Sequence, residues 1–430
     1  MPEVTVTARQ PLALGTRPRA GAPAATHLHI PGSVLRGALA AVWIADHNAP
    51  LGRDEPPAEF VNLFEREVRF GPLFAPDSTV VPLSVSRCKY RPTDDCHSVW
   101  CDEAFEEVPT RCPHCGGPLA RGRGEVQSFA DTVGELTTRT TRVALTPEET
   151  ARDGALHTRD ALRHRDVRGE PARFVGRIIG GGDWLIGEHR LLLGGRRSTS
   201  GLADYCGTPD SPQPIPEPTG NRLVLRLETP AVLVDRAGRP TDHPDTTLLT
   251  ELLGVSVSVD RQWVRRDRVG GWNAAADLPK PDEHVVTAGS TYELSLGDEP
   301  DPQAVRALVE RGIGLRRSEG FGWIKVGRWE VPALPKRDQG AGDDKVAIGL
   351  SQMLVDLPGQ HARWFTAELR SYLAYRNGGG APHADLLEHR RLQTLDGRRR
   401  DLIRALLLTS SPAQIAAVID AVDARIRGVL

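Results

Sequence analysis

The chain has 430 residues and a formal net charge of −2, so it exceeds the usual size of one core and is not a uniformly basic nucleic-acid binder. Five lysines leave 49 of the 54 basic residues as arginine, each a planar donor fork suited to phosphate, so any RNA contact must come from local arginine-bearing surfaces. No apolar run approaches the ~20 residues of a membrane span, and the opening MPEVTVTARQ lacks a basic-then-apolar leader; a cytoplasmic protein without membrane contact is expected, in which clustered cysteines read as metal ligands.

The first predicted strand, Val4 to Leu14, alternates apolar and polar residues up to Pro11. The loop from Gly15 to His29 contains neither Asp nor Glu, and His27 and His29 alternate as residues on one strand face would; a general-base role is the other reading of the two histidines. IPGSVLRGALAAVW (Ile30 to Trp43) then predicts a helix capped by Ser33, with Val34, Leu35, Ala38, Leu39 and Val42 toward a core. Gly32, Ser33 and Arg36 at its start also form a candidate phosphate site from backbone amides and a cation, although an ordinary strand-to-helix turn accounts for the same residues.

Six cysteines follow, five of them between Cys88 and Cys115. Cys112-Pro113-His114-Cys115-Gly116-Gly117 has the form of a zinc knuckle, since a two-residue spacer puts both thiolates on one ion and the glycines let amides turn around sulphur. Cys88 and Cys96 are the preferred partners, with Cys101 and His97 as substitutes. Four protein ligands leave no place for water, so the expected zinc is structural; an open catalytic zinc lacks an accompanying Glu-containing hydrolase motif.

Two loops carry Arg-Arg-Ser beside glycine: LLLGGRRSTSGLADY (Leu191 to Tyr205) and GIGLRRSEGFGWIKV (Gly312 to Val326). A second strand like the first, Leu223 to Leu233, again reaches a proline, Pro230. The prolines lie 219 residues apart and the Arg-Arg pairs 120, so the chain reads as a duplication whose first copy holds 99 additional residues, the cysteine cluster among them. In the loops Gly195, Arg196, Arg197 and Ser198, and Gly314, Arg316, Arg317, Ser318, Gly320 and Gly322, suit a phosphate backbone, with Phe321 a candidate base-stacking ring. Solvated or salt-bridged arginines and a core phenylalanine are the plainer alternatives. After the second copy's first strand stand Asp235, Asp242 and Asp245; Asp235 is the one catalytic candidate, and Asp-Arg-Ala-Gly is equally a tight turn.

Proline-rich linkers are expected over 206–222 and 332–345, dividing a first domain (1–205, with the metal insertion near 88–119), a second domain (223–331) and a helical region (346–430). In the last, Ser411 caps and Pro412 opens a helix whose Ile415, Val418, Ile419, Val422 and Ile426 form one apolar face.

In order, the early strand, IPGSVLRGALA, FEREVRFGPLF (Phe64 to Phe74), VPLSVSRCK (Val81 to Lys89), VGGWNAAADLPKPDEHVVTAGSTYEL (Val269 to Leu294) and both arginine-glycine loops resemble the RAMP superfamily of CRISPR effector proteins, most of all the fused large RAMP subunit of type III-D complexes. The resemblance spans most of residues 1–330. It implies an α+β fold of tandem ferredoxin-like domains with a zinc-binding insertion, holding CRISPR guide RNA by shape and backbone while base pairing reads the target RNA. Other effector subunits are then the protein partners, and the helical region stands where a small-subunit equivalent is fused. Cleaving relatives carry an acid in the loop that here runs from Gly15 to His29, so this chain is expected to bind and assemble rather than cut. The alternatives are a metal-dependent endoribonuclease using Asp235, a guide-processing ribonuclease using His27 or His29, and a zinc-stabilised interaction module with no RNA role.

Overall fold

The computed structural model describes residues 2–16, 25–49, 55–66, 68–90, 96, 98–129, 136–146, 150–165, 170–195, 199–209, 220–273, 278–331, 359–377, 380–393, 395 and 397–426. They fall into two compact units, one of Met1–Ser86, Cys101–Val108 and Arg121–Pro335, the other of Arg87–Trp100, Pro109–Ala120 and Lys336–Leu430.

The larger unit is built around a five-stranded and a four-stranded antiparallel sheet. In the first domain β1 (Pro2–Ala8) is followed by α1 (Gly32–Asp46), β2 (Arg69–Phe70), the long hairpin β3 (Thr137–Leu145) and β4 (Ala151–Leu162), and then β5 (Arg173–Ile179), β6 (Gly187–Leu192) and β7 (Leu202–Pro209). The sheet order is β6-β7-β1-β5-β2. Alternation places Val4, Val6 and Ala8 in the core beneath Leu35, Leu39 and Trp43 of α1. The helix starts two residues earlier than a Ser33 cap requires: extended Pro31 is the N-cap, Gly32 is the first helical residue, and Ser33 is exposed on the first turn.

The second domain runs β8 (Arg222–Leu227), α2 (Thr246–Leu253), β9 (Val257–Trp263), a hairpin of β10 (Arg266–Asn273) and β11 (Leu278–Val286), β12 (Thr291–Leu296), α3 (Pro302–Arg311) and β13 (Ile324–Val326). Its order, β9-β12-β8-β13, is that of a ferredoxin-like βαββαβ domain. The first domain shares it through β2, β5, β1 and β7. Its second helix is replaced by a single turn, Asp183–Leu185, and by β6 at the sheet edge.

The two domains repeat each other hydrogen bond by hydrogen bond. After β1, Leu12 bridges Leu162 at the end of one hairpin; after β8, Ala231 bridges Val286 at the end of the other. The Gly201 amide donates to the Pro11 carbonyl at 3.0 Å, and the Gly322 amide to Pro230 at 2.9 Å. Gly194 (φ 75°) and Gly314 (φ 77°) occupy matching left-handed positions, where a Cβ would strike the Ala13 or the Val232 carbonyl. Most of the additional residues of the first copy lie between β2 and β5, where the cysteine segment is inserted.

Part of that insertion lies on the second domain. Along β8, Leu223, Leu225 and Leu227 face the helices, whereas Val224 forms the opposite face and packs with Trp263, Ala104, Leu83 and Phe105. The sheet surface left open by the helices is therefore occupied by residues 102–105. The domains also meet directly: the Cα atoms of Gly32 and Gly320 are so close that a Cβ on either would strike the other's backbone or that of Phe70.

In the smaller unit, α4 (Gly359–Asn377), α5 (Gly397–Thr409) and α6 (Pro412–Ile426) bury Phe365, Leu369, Ile403, Leu407, Ile415, Val418, Ile419 and Val422 together. Ser411 and Gln414 form a reciprocal capping box at the start of α6, the Gln414 amide donating to Ser411 Oγ and the Ser411 amide to Gln414 Oε1. No described helix is long and apolar enough to cross a membrane. The first proline-rich linker begins later than expected, since Cys206 to Pro209 belong to β7; 210–219, 332–345 and the beginning of the helical region up to 358 lie outside the described residues.

The repeated glycine crossing yields a contrast. Gly322→Ala, at φ 66° against the Ile313 carbonyl, is expected to lower stability by at least about 2 kcal/mol, whereas Gly195→Ala, whose methyl meets open space, should stay within about 0.5 kcal/mol. Thermal or denaturant unfolding of the two variants checks this.

Candidate functional site: a four-cysteine centre and two arginine-glycine loops

The structure brings Cys88, Cys96, Cys112 and Cys115 together, their sulphurs all within 4.8 Å of one another. Cys88 and Cys115 approach to 3.6 Å and Cys96 and Cys112 to 3.9 Å, close to the edge of about 3.8 Å that four Zn–S bonds impose on a tetrahedron. The knuckle forms because the Gly116 amide donates to the Cys112 carbonyl while the Cys112 amide donates to Gly117, with Gly116 left-handed at φ 66°. Cys101 stands outside this group, and His97 lies outside the described residues.

Burial opposes ionisation of Cys112, but the amides of Cys115 and His114 turned toward its sulphur and the neighbouring thiols hold it down at about 6. At Cys115 the Gly117 amide favours the thiolate, yet burial and the adjacent sulphurs push it up to about 12. The four sulphurs thus cannot all ionise on their own, whereas a metal ion would take them as thiolates. The cluster is compatible with a closed, structural metal site.

In the second loop the two arginines have separate tasks. Arg316 is left-handed (φ 55°), only 16% exposed, and committed: its guanidinium bonds Glu319 at 2.8 Å, pairs with Glu283, and lies 4.6 Å over the Phe321 ring. Burial opposes the Glu319 charge, but Arg316 and Lys280 overcome it and hold the carboxyl down at about 2. Arg317 has no carboxylate partner among the described residues; burial and then Arg311 depress its pKa. Ser318 lies in the same partly exposed turn, whereas Gly320 and Gly322 are buried by the domain seam and the Ile313 carbonyl. Phe321, 8% exposed, belongs to a cluster with Val232, Val285 and Val269, so the expected stacking ring is a core residue.

In the first loop Gly195 is exposed at the start of the turn, and Arg196, Arg197 and Ser198 lie outside the described residues. At α1, Gly32 is turned inward against Gly320, and Arg36 donates from Nε to the Phe64 carbonyl with Glu65 at 3.7 Å. Only Ser33 of that trio is exposed, and the helix start is used as a domain seam. Sequence reasoning overlooked the other residue of that seam, Arg69, which lies 4.8 Å over Trp323 and donates to the Glu310 carbonyl; burial, and then Arg317, lower its pKa to about 9.

The acids of the second domain have structural partners. Asp235 accepts from the amides of Ala237 and Arg239 and from Arg239 Nε at 2.8 to 2.9 Å, closing its own turn, and the Arg239 amide first among these lowers its pKa. Asp242 pairs with Arg266 at 2.7 Å, and Asp245 caps α2 through the amides of Thr247 and Leu248. Burial, and secondarily His27, lower His29 to about 3, and burial lowers His27 as well.

One tightly held metal ion per chain is expected from the cysteine geometry, and its retention should fall as pH drops, because protons compete for the thiolates. Elemental analysis after dialysis at descending pH checks both; Cys112→Ser is expected to lose the ion and lower the unfolding temperature.

Residues 139–329, somewhat under half of the chain, match the family described as CRISPR-associated protein (Cas_Cmr3), from the first domain's hairpin through the last strand of the second domain. No curated protein matches the chain. Among solved structures it is similar to a chain of a type III-B Cmr-beta complex bound to cognate target RNA and AMPPnP, at 11% identity and a TM-score of 0.40, covering 68% of this chain and 86% of that one. A RAMP protein binding different RNA substrates gives 10% identity and a TM-score of 0.29 over 76% of this chain and all (100%) of that one. Cse3 of Thermus thermophilus bound to an RNA gives 18% and 0.21 over 45% and 79%. TM-scores this low carry no argument. The family match supports a RAMP-type CRISPR protein.

Proposed function

We propose that this chain is an RNA-binding and assembly subunit of a type III CRISPR effector complex, of the fused type III-D kind, holding guide RNA along its two arginine-glycine loops without cutting the target itself. The observation that carries this reading is that the loop glycines of both ferredoxin-like domains, Gly201 and Gly322, hang from the Pro11 and Pro230 carbonyls in the same way, both glycines lying within the Cas_Cmr3 match. A glycine-rich turn that meets the backbone closely and offers a guanidinium is built for a phosphate chain rather than for a base sequence. In the second loop Arg317 supplies that guanidinium, and Arg316, locked by Glu283 and Glu319, holds the turn in shape. Guide RNA, target RNA and neighbouring effector subunits are the partners, and zinc is the ion of the four-cysteine centre.

Arg317→Ala should weaken guide-RNA binding equally for different spacer sequences and reduce the salt slope by about one counterion. Titration at two or more salt concentrations reads it, and an unchanged slope argues against a phosphate contact. Arg316→Ala should instead lower stability.

The three second-domain acids are engaged in a turn, an ion pair and a helix cap, and none of these roles calls for catalysis. In the assembled effector, Asp235→Ala is expected to leave every cut in a labelled complementary RNA in place. Loss of one cut with guide and target binding intact would instead make this chain a ribonuclease.

A further inference from the structure

Residues 102–106 form a strap seated on the open face of the second domain's sheet. Asp102 and Arg226 meet at 3.3 Å with side chains only 5% and 6% exposed, an ion pair that a neighbouring shell must hold in register, since either charge left alone there would be costly. The other Asp102 oxygen accepts from the Ala104 amide. Ala104 is fully buried against Val224 and Trp263. Trp263 Nε1 donates to Glu103 at 3.0 Å, Arg222 donates to the Ala104 carbonyl, and Arg222 and Arg328 lie 5.3 and 5.2 Å over the Phe105 ring. On the other side of Cys88 and Cys96 in the chain, the Leu83 amide donates to the Gly289 carbonyl at 2.8 Å.

The ends of the strap run into the cysteine cluster. Cys96 precedes it and Cys112 follows it, and those two sulphurs are 3.9 Å apart. An ion holding both closes a loop whose middle is the strap. Closing a loop of this length removes many conformations that the strap would otherwise sample when unseated, which raises its occupancy of the sheet without adding a contact.

We propose that the four-cysteine centre is a clip that keeps residues 102–106 seated on the second domain, so that metal occupancy of the first domain's insertion sets how firmly that insertion ties the two ferredoxin-like domains. The proposal rests on the metal reading of the cluster. It assigns the ion a mechanical role at a surface to which it contributes no ligand.

The test is hydrogen exchange on the full chain, before and after metal removal by a chelator, at the amides of Ala104, Phe105 and Glu106, with the buried β12 amides of Tyr292 and Leu294 as internal reference. On losing the ion the strap amides should exchange about tenfold faster or more while the β12 amides are unchanged. Asp102→Asn, which leaves every cysteine in place, should speed strap exchange at full metal content. Unchanged strap exchange in either experiment overturns the proposal. So does joint loss of protection in strap and β12, because the ion would then support the domain as a whole. Elemental analysis of the untreated chain separates the two failures: a chain with no ion refutes the metal site, and a chain with its ion but an indifferent strap refutes only the clip.

Discussion

A glycine amide donating to the carbonyl of a proline at the end of the first strand ties the last loop of each ferredoxin-like domain to its beginning. Gly201 does this on Pro11 and Gly322 on Pro230. Both glycines reach the carbonyl in left-handed conformations, at φ 97° and 66°, in which a Cβ would strike the carbonyl of Leu193 or of Ile313. Everything placed on the loop inherits its position from that bond. In the second loop Arg316 and Arg317 stand on a backbone held by the Gly322 amide and by the Arg316–Glu319 pair, which reduces the ordering cost when a ligand is bound.

The same closeness of backbone joins the two domains. Gly32 at the start of α1 and Gly320 in the second loop touch Cα to Cα, so the residues that read as a phosphate cradle in isolation are used to seat one domain on the other. Arg69, stacked on Trp323 and bound to the Glu310 carbonyl, lies at this seam and raises the local positive potential beside Arg317. A negatively charged backbone running along the seam would relieve that repulsion, which agrees with the loop's proposed use.

The insertion adds a second tie of a different chemistry. A buried carboxylate-guanidinium pair and an aromatic ring under two arginines hold an acidic strap on a sheet face that many domains of this fold leave open to single-stranded RNA. With that face covered, the RNA contact proposed for the second domain falls to its loops and edges. On the proposed reading the four-cysteine cluster matters for what it restrains, since an ion held by all four sulphurs would have no coordination position left for chemistry.

The sequence by itself determined the duplication, because a strand ending at a proline and an Arg-Arg-Ser loop beside glycine recur in the same order in each copy, and the structure ties a glycine of the loop to that proline in both. It also determined the apolar face of the last helix, since a 3.6-residue period leaves Ile415, Val418, Ile419 and Val422 one place to go. Four cysteines were identifiable as ligand types, but which of the spare candidates joined the knuckle depended on where the chain returned. The split between Arg316 and Arg317 was equally out of reach: identical neighbours in sequence, they differ because Glu283, distant along the chain, and Glu319 both turn against Arg316. The strap and the Gly32 seam were illegible for the same reason. Which surfaces are covered is decided by contacts between residues more than a hundred positions apart, as Asp102 and Arg226 are, and local pattern carries no record of such pairings; only the tertiary structure decides them.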